Sequence, residues 1–394
     1  MDRSEFDILV IGAGIAGSSV AAGLAEVCRV ALFERESAPG YHSTSRSAAV
    51  FSEIYGAEPV RALSRASRDF FFAPGPQFTA GSLVKPRGVL YIATPEQRAR
   101  FEDFAGLPDV APHTRRVSPQ EAFNLCAILR PEALAAVLFE PKAADVDVHA
   151  LHQGYLRLLR ERGSVFFKDQ PVEGLQHDGA HWNLTSAGKL WRAPVIVNAA
   201  GAWADQIAIM AGVTPIGLQP LRRTAVLVDA PEGENVDKWP LVCDIAEQFY
   251  FKPDAGRVLL SPADETPSAP CDAQPDDWDV AVAVDRVEAA TRLKVRRVRH
   301  KWAGLRSFVA DRVPVAGFDP DAPGFFWLAG QGGYGIQTCP ALALAATALV
   351  LDRPFPASLT AAGVDALDLA PGRLRHAGPD PKRRNAAVPV AGSV

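Results

Sequence analysis

The run Asp7-Ile8-Leu9-Val10-Ile11 passes directly into Gly12-Ala13-Gly14-Ile15-Ala16-Gly17, and this junction limits the fold more than any other stretch of the chain. The apolar run has the length and continuity of a strand buried on both faces. Small residues carry a helix on to Leu24, and Val30–Glu34 reads as a second buried strand. Strand, glycine turn, helix and strand follow one another within about 30 residues, the size of a βαβ unit. Gly12 permits the tight turn, Gly14 lets backbone approach a pyrophosphate, and Gly17 lets helix and strand pack closely. The free N–H groups and partial positive charge of the helix N-terminus suit phosphates. Glu34 stands about 20 residues on, where an acidic side chain accepts hydrogen bonds from a ribose. A glycine turn without a ligand is the bland alternative, and the complete context speaks against it.

At 394 residues the chain is long for one domain and suits two. After the first unit, Arg61–Phe72 reads as a helix, 73–86 as a Pro/Gly-rich loop and Val89–Ala93 as a strand. Ser118 with Glu121 makes a capping box, and Asp147 caps an amphipathic helix over Val148–Arg162. Strands follow at Val165–Lys168, Val172–Gln176, Trp182–Thr185 and Val195–Asn198, with a hairpin turn at Asp178-Gly179. Further strands are expected at Thr224–Asp229, Gln248–Lys252 and Val258–Ser261, then a helix over Val282–Leu293. Gly324–Ala329 is a buried strand that leads through a glycine-rich turn into a final long helix.

The expected fold class is α/β. A discontinuous Rossmann-type dinucleotide domain (1–52, 145–218, 300–371) adjoins an antiparallel-sheet α+β substrate domain (53–144, 219–299). The Pro/Arg/Ala-rich tail, 372–394, is expected to be disordered or loosely docked. A net charge of −4 gives no basic excess for nucleic acid. Five scattered cysteines without a CxxC argue against disulfides and zinc and fit a reducing cytosol. The longest apolar stretch, Ala341–Leu351, is too short to span a bilayer, so no transmembrane segment is expected.

Three further motifs carry chemistry. Asn198-Ala199-Ala200-Gly201-Ala202-Trp203 leaves a buried strand through small residues that allow a cofactor to approach. Gly332-Gly333-Tyr334-Gly335-Ile336-Gln337-Thr338 opens a helix whose N-terminus can stabilise negative charge on a reduced flavin ring. These two motifs favour FAD over NAD for the dinucleotide. Arg306 lies among apolar residues and needs a partner; a substrate carboxylate and a structural Asp or Glu are equal readings. The helically spaced pairs His149/His152 and His177/His181 lack a third ligand, so no metal is expected. Cys339 reads as a packing residue, and Lys294–Lys301 as a solvated face.

Taken together, GAGIAG (12–17), PGYHSTSRSAA (39–49), Tyr55-Gly56, VRALSRASR (60–68), ALHQGYLR (150–157), VNAAGAW (197–203), GLQPLRR (217–223), FYFKPDAG (249–256), WAGLRSFVAD (302–311) and QGGYGIQT (331–338) resemble the glycine oxidase/D-amino-acid oxidase family of flavoproteins. The resemblance covers residues 5 to 370 and is nearest the family's bacterial D-arginine dehydrogenases. It implies noncovalent FAD and hydride transfer from a D-amino acid Cα to flavin N5. The resulting imino acid hydrolyses to a 2-oxo acid. For the cofactor it implies Gly12, Gly14, Ile15, Ala16 and Gly17, then Glu34 and Arg35, then His42, Ser43, Thr44, Arg46, Ser47, Ala48 and Ala49. Val172, Ala200, Gly201 and Trp203 follow, with Arg306, Gly332, Gly333, Tyr334, Gly335, Ile336, Gln337 and Thr338. For catalysis it implies Arg306 as carboxylate clamp, Tyr55 and Tyr250 as hydroxyl donors, and Arg223 and Gln337 in the pocket.

The substrate wall departs from the arginine enzymes. Their guanidinium-binding glutamate aligns with Val89, after Pro86-Arg87, and their histidine after Ser-Ala-Ala aligns with Val50. Ser52, Glu53, Tyr91, Leu241, Cys243 and Gly333 complete the expected pocket, with Glu53 the one acid placed to substitute. A cation unpaired there costs several kcal/mol, so a neutral, apolar side chain is expected. The electron acceptor, quinone-like or O₂, is not specified, and no lysine is identifiable as an oxygen-activating group. Two rival readings stand: an O₂-using oxidase of amines such as sarcosine, and a flavin-bearing interaction protein without turnover.

Overall fold

The computed structural model describes residues 4–78 and 81–375. A six-stranded sheet forms the nucleotide half in the order Val315–Phe318, Phe325–Ala329, Val195–Asn198, Ile8–Ile11, Val30–Phe33 and Val165–Phe167. Every pairing is parallel except that of the edge strand Val315–Phe318. Ile8–Ile11 is central and wholly buried, as its unbroken apolar run requires. From it the chain turns to Val30–Phe33 on one side and later returns at Val195–Asn198 on the other. The reversal of strand order opens a crevice beyond the carboxyl ends of these strands. The helix Ile15–Leu24 packs against Val148–Glu161 and Gly335–Val350, sealing one face.

The second half is a nine-stranded sheet in the order Thr266–Pro267, Gln219–Asp229, Arg257–Ser261, Tyr250–Asp254, Leu241–Asp244, Val89–Ala93, Ala136–Glu140 and Arg115–Val117. The strand Val298–Phe308 also pairs with Gln219–Asp229. All pairings are antiparallel except Leu241–Asp244 with Val89–Ala93. The α/β reading with a Rossmann half and a mostly antiparallel half therefore holds.

Several boundaries move. The division expected at residue 300 falls inside Val298–Phe308, which belongs to the second sheet along its length. The divisions at 52 and 144 cut a small sheet of Val50–Phe51, Ala144–Val146 and Val84–Pro86, which stitches the halves together. Lys294–Lys301 runs into that long strand, with Arg299, His300 and Lys301 exposed as expected. The helix expected from Val282 begins at Asp277, because Asp276 caps it by accepting from Trp278 N–H at 2.9 Å. Ser118 and Asp147 cap their helices as expected, accepting from Glu121 and Ala150 N–H.

The first residues of the expected tail are docked. Gly372–Arg375 is a helical turn tied by Arg373 to Asp311 at 2.8 Å and by Arg375 to Asp319 at 2.7 Å. Residues 376–394 lie outside the described residues. No described helix is long and apolar enough to cross a membrane.

Candidate active site

Three clefts join end to end. The first, about 1030 Å³, lies at the strand-order reversal and is lined by Gly12, Gly14, Glu34, Arg35, His42, Val172 and the Ala199–Trp203 turn. The second, about 920 Å³, shares Gly14, Ser43 and Thr44 with the first and runs between Ile15–Ala16, Arg46–Ala48, Gly304–Ser307 and the residues Gly332, Gly333, Gly335 and Ile336. The third, about 730 Å³, shares Arg223, Tyr250, Arg306 and Gly333 with the second. The sequence of spaces suits a long dinucleotide whose reactive end meets a small-molecule pocket.

The glycine turn is built for close packing around that path. Gly12 has φ +99°, and a Cβ on it would stand 2.5 Å from the Ala199 carbonyl oxygen. Gly17, expected among the cofactor residues, lines none of the three clefts: a Cβ there would strike the Gly12 carbonyl oxygen, so its role is packing. Glu34 accepts from Ala13 N–H at 2.9 Å and Glu36 N–H at 3.0 Å. Its oxygens retain lone pairs for further donors. His42 lines the first cleft; its Nε2 meets Glu36 Oε1 at 3.0 Å, while its buried Nδ1 has no hydrogen-bond partner among the described residues. A buried polar atom of this kind calls for a ligand or water. His152 was not singled out for this region, yet its Nε2 sits 2.9 Å from the Ala13 carbonyl and so braces the turn.

All five residues expected to do chemistry, Tyr55, Arg223, Tyr250, Arg306 and Gln337, line the third cleft. They come from distant parts of the chain, and their surroundings differ. Arg306 Nη1 donates to Tyr55 Oη at 3.2 Å, and no ion pair reaches its guanidinium among the described residues. Burial alone would lower its pKa; Tyr55 and Tyr250 outweigh that and hold it above the ordinary arginine value. Gly333 leaves room for this side chain, since a Cβ there would lie 2.7 Å from Arg306 Nη1. Arg223, by contrast, donates to the Asp264 carbonyl at 2.8 Å and to Glu265 at 3.2 Å. Burial raises the Tyr55 phenol, so it stays protonated and able to donate. Gln337 spends both ends of its amide on Ser52 N–H and Ser64 Oγ, at 3.3 and 2.8 Å, and holds the neighbouring segment in place.

Val50, Ser52, Val89, Tyr91, Leu241, Cys243 and Gly333 line this pocket as expected. Glu53 does not. It faces Arg68 at 3.6 Å and His113 at 3.5 Å, away from the pocket, so it cannot replace the acid missing at Val89. The carboxylate that does line the pocket is Glu247, which no sequence pattern points to. It sits in a turn with φ +54°, so no strand or helix period marked it. Burial raises its pKa, and Arg223 and Arg306 oppose the rise. Tyr334 and Thr338 line none of the clefts: Tyr334 packs on Tyr55 and Phe308, and Thr338 bonds the Tyr334 carbonyl. Cys339 is buried, as expected of a packing residue.

The model of the DAO family, described as FAD dependent oxidoreductase, matches residues 7–349. The FAD-dependent oxidoreductase domain-containing protein 1 of Bos taurus is 24% identical over 418 residues, covering 89% of this chain and 82% of that one. The crystal structure of glycine oxidase from Geobacillus kaustophilus superposes with a TM-score of 0.77 at 23% identity, over 90% of this chain and 97% of the other. That of L-proline dehydrogenase from P. horikoshii gives 0.75 at 19% identity, over 94% and 98%.

Proposed function

The chain belongs to the DAO family of FAD-dependent oxidoreductases, and from that premise we propose that it oxidises the Cα–N bond of D-amino acids with neutral side chains, yielding 2-oxo acids after hydrolysis of the imino product. The observation that carries this reading is the Arg306 guanidinium. It opens on an apolar-walled pocket with a tyrosine hydroxyl as its partner and no paired carboxylate among the described residues. Bound FAD would supply the two-electron acceptor for a hydride from the substrate Cα. The cleft fits such a group: its lining includes His42, whose buried Nδ1 has no hydrogen-bond partner among the described residues, Gly14, and the helix N-terminus that begins at Ile15.

The remaining work falls to the protein. Arg306 receives the substrate carboxylate in a bidentate grip. Tyr55 and Tyr250 donate to the same anion and orient the Cα toward the second cleft. Glu247 offsets the charge of the two arginines. The substrate ammonium loses a proton to solvent, and the Cα–H bond then gives up its hydride as the lone pair of the neutral amine forms the C=N bond.

Val50, Val89, Leu241 and Ile336 form hydrocarbon walls. A guanidinium or ammonium against them would cost several kcal/mol. The test is anaerobic addition of single D- and L-amino acids while the oxidised flavin band is followed. Rapid bleaching by neutral D-isomers, with D-Arg and D-Lys far behind, is expected. Bleaching led by D-Arg would discard the side-chain assignment, and bleaching by L-isomers would discard the stereochemistry. Hydrogen peroxide formed under air would mark O₂ as the acceptor.

A further inference from the structure

Glu140 pairs with Val89 across two antiparallel strands. Directly opposed residues leave a sheet on the same face. Val89 lines the pocket, and Glu140 stands behind the wall at 1% exposure. Its carboxylate accepts from Ser52 Oγ at 2.8 Å and from Glu53 N–H at 2.9 Å. Ser52 is itself a wall residue, and its hydroxyl is close enough to Tyr91 to act on that phenol. No cation pairs with Glu140 among the described residues. The titratable groups facing it are Glu53, on the segment above it, and Tyr91, on the adjoining strand; Arg68 and His113 hold Glu53 from behind. Burial, only partly countered by the two hydrogen bonds, pushes Glu140 up to about 8.

A hydroxyl has one proton to give and lone pairs to receive. An ionised Glu140 can only accept, so Ser52 points its O–H at the carboxylate, receives the Ile54 N–H at 3.4 Å on one lone pair and has the other left for the pocket. A protonated Glu140 donates to Ser52 Oγ, and the Ser52 O–H is released toward the pocket. We propose that Glu140 is a positioning residue that sets, through Ser52, whether the pocket wall offers the substrate side chain a hydrogen-bond donor or an acceptor. The inference rests on the pocket being an amino-acid site, and it narrows the substrate class. Near neutral pH the wall presents a donor and prefers a side chain bearing an oxygen acceptor to a hydrocarbon of the same shape.

The test uses carboxylates without an amine, so turnover is not needed. Flavin-loaded enzyme is titrated with 4-oxopentanoate and its isostere 4-methylpentanoate, and with 5-oxohexanoate and 5-methylhexanoate. Kd is read from the flavin spectrum between about pH 6 and about pH 10, bracketing the Glu140 titration. Within each pair the Kd ratio cancels every ionisation that acts on the shared carboxylate. The oxo member is expected to lose roughly 3- to 10-fold against its isostere as pH rises, the worth of one hydrogen bond. Glu140→Gln, whose amide still accepts from Glu53 and always donates to Ser52, is expected to keep the oxo preference at every pH. Ser52→Ala is expected to abolish it. A wild-type ratio flat with pH, or a Glu140→Gln profile that follows the wild type, overturns the proposal while leaving the amino-acid reading intact. Failure of all four carboxylates to bind overturns both.

Discussion

The cleft at the strand-order reversal and the pocket around Arg306 are built differently. The cleft is approached closely by backbone at Gly12, Gly14 and the small-residue turn Ala199–Ala202, with side chains such as Glu34, Arg35, His42 and Trp203 around them. The pocket is mostly side chains, brought in from Val50–Tyr55, Val89–Tyr91, Arg223, Leu241–Tyr250, Arg306 and Gly333–Gln337. A backbone site tolerates little change in volume, because added atoms meet main chain that cannot move aside. A side-chain site can exchange residues and retain its shape, so its chemistry is free to drift. The two arginines show this within one pocket. Arg223 is anchored by Glu265 and the Asp264 carbonyl, whereas among the described residues the hydrogen-bond partner of the Arg306 guanidinium is the Tyr55 hydroxyl alone.

That contrast can be broken or sharpened by substitution. The largest effect is expected from Gly17→Leu, whose side chain would be driven into the Gly12 carbonyl. It should yield protein without bound flavin, measured by absorbance of the purified chain. Normal flavin content would show the cleft to be more pliant than its backbone construction implies. Arg306→Ala should keep its flavin and lose on the order of 10²- to 10³-fold in kcat/KM, the scale of a lost buried charge pair. Arg223→Ala should lose less, about tenfold, because its charge is already committed to Glu265. Equal losses at the two positions would erase the distinction drawn between them.

A stability measurement bears on the pocket wall. Burial raises the folded-state pKa of Glu140 from the ordinary carboxylate value of 4.5 to about 8, so the stability it confers is complete below the lower value and is lost as pH rises through the upper one. Glu140→Gln carries no such proton. Its thermal midpoint should therefore overtake that of the wild type toward alkaline pH, by at most a few kcal/mol in equivalent stability. Parallel pH profiles would remove the buried ionisation. The smallest effect is expected from Glu53→Gln, which should leave the ranking of D-Arg against neutral D-amino acids unchanged, since Glu53 faces Arg68 and His113. Altered ranking in a substrate panel would return Glu53 to the pocket.

What could be read from the chain follows the same division. The βαβ unit, the buried strands Val195–Asn198 and Phe325–Ala329 and the caps at Ser118 and Asp147 were legible because each is a local pattern of apolar run, glycine or capping residue. The strand Val298–Phe308 was not, because its charged start resembles any solvated segment and only its partner Gln219–Asp229 makes it a strand. The pocket residues were legible through family resemblance, while their environments were not. Glu247 entered the pocket through a turn with left-handed backbone, Glu53 left it for Arg68 and His113, and Glu140 stands behind Val89 through strand register.

The sequence by itself determined the strand, glycine turn, helix and strand that open the chain, because every requirement of that unit lies within one short, contiguous stretch. Only the tertiary structure decided which acids and arginines line the pocket around Arg306 and which are already paired. Those charges interact over a few ångströms between segments far apart along the chain, and pairing at that range is set by packing and strand register, which no local pattern encodes.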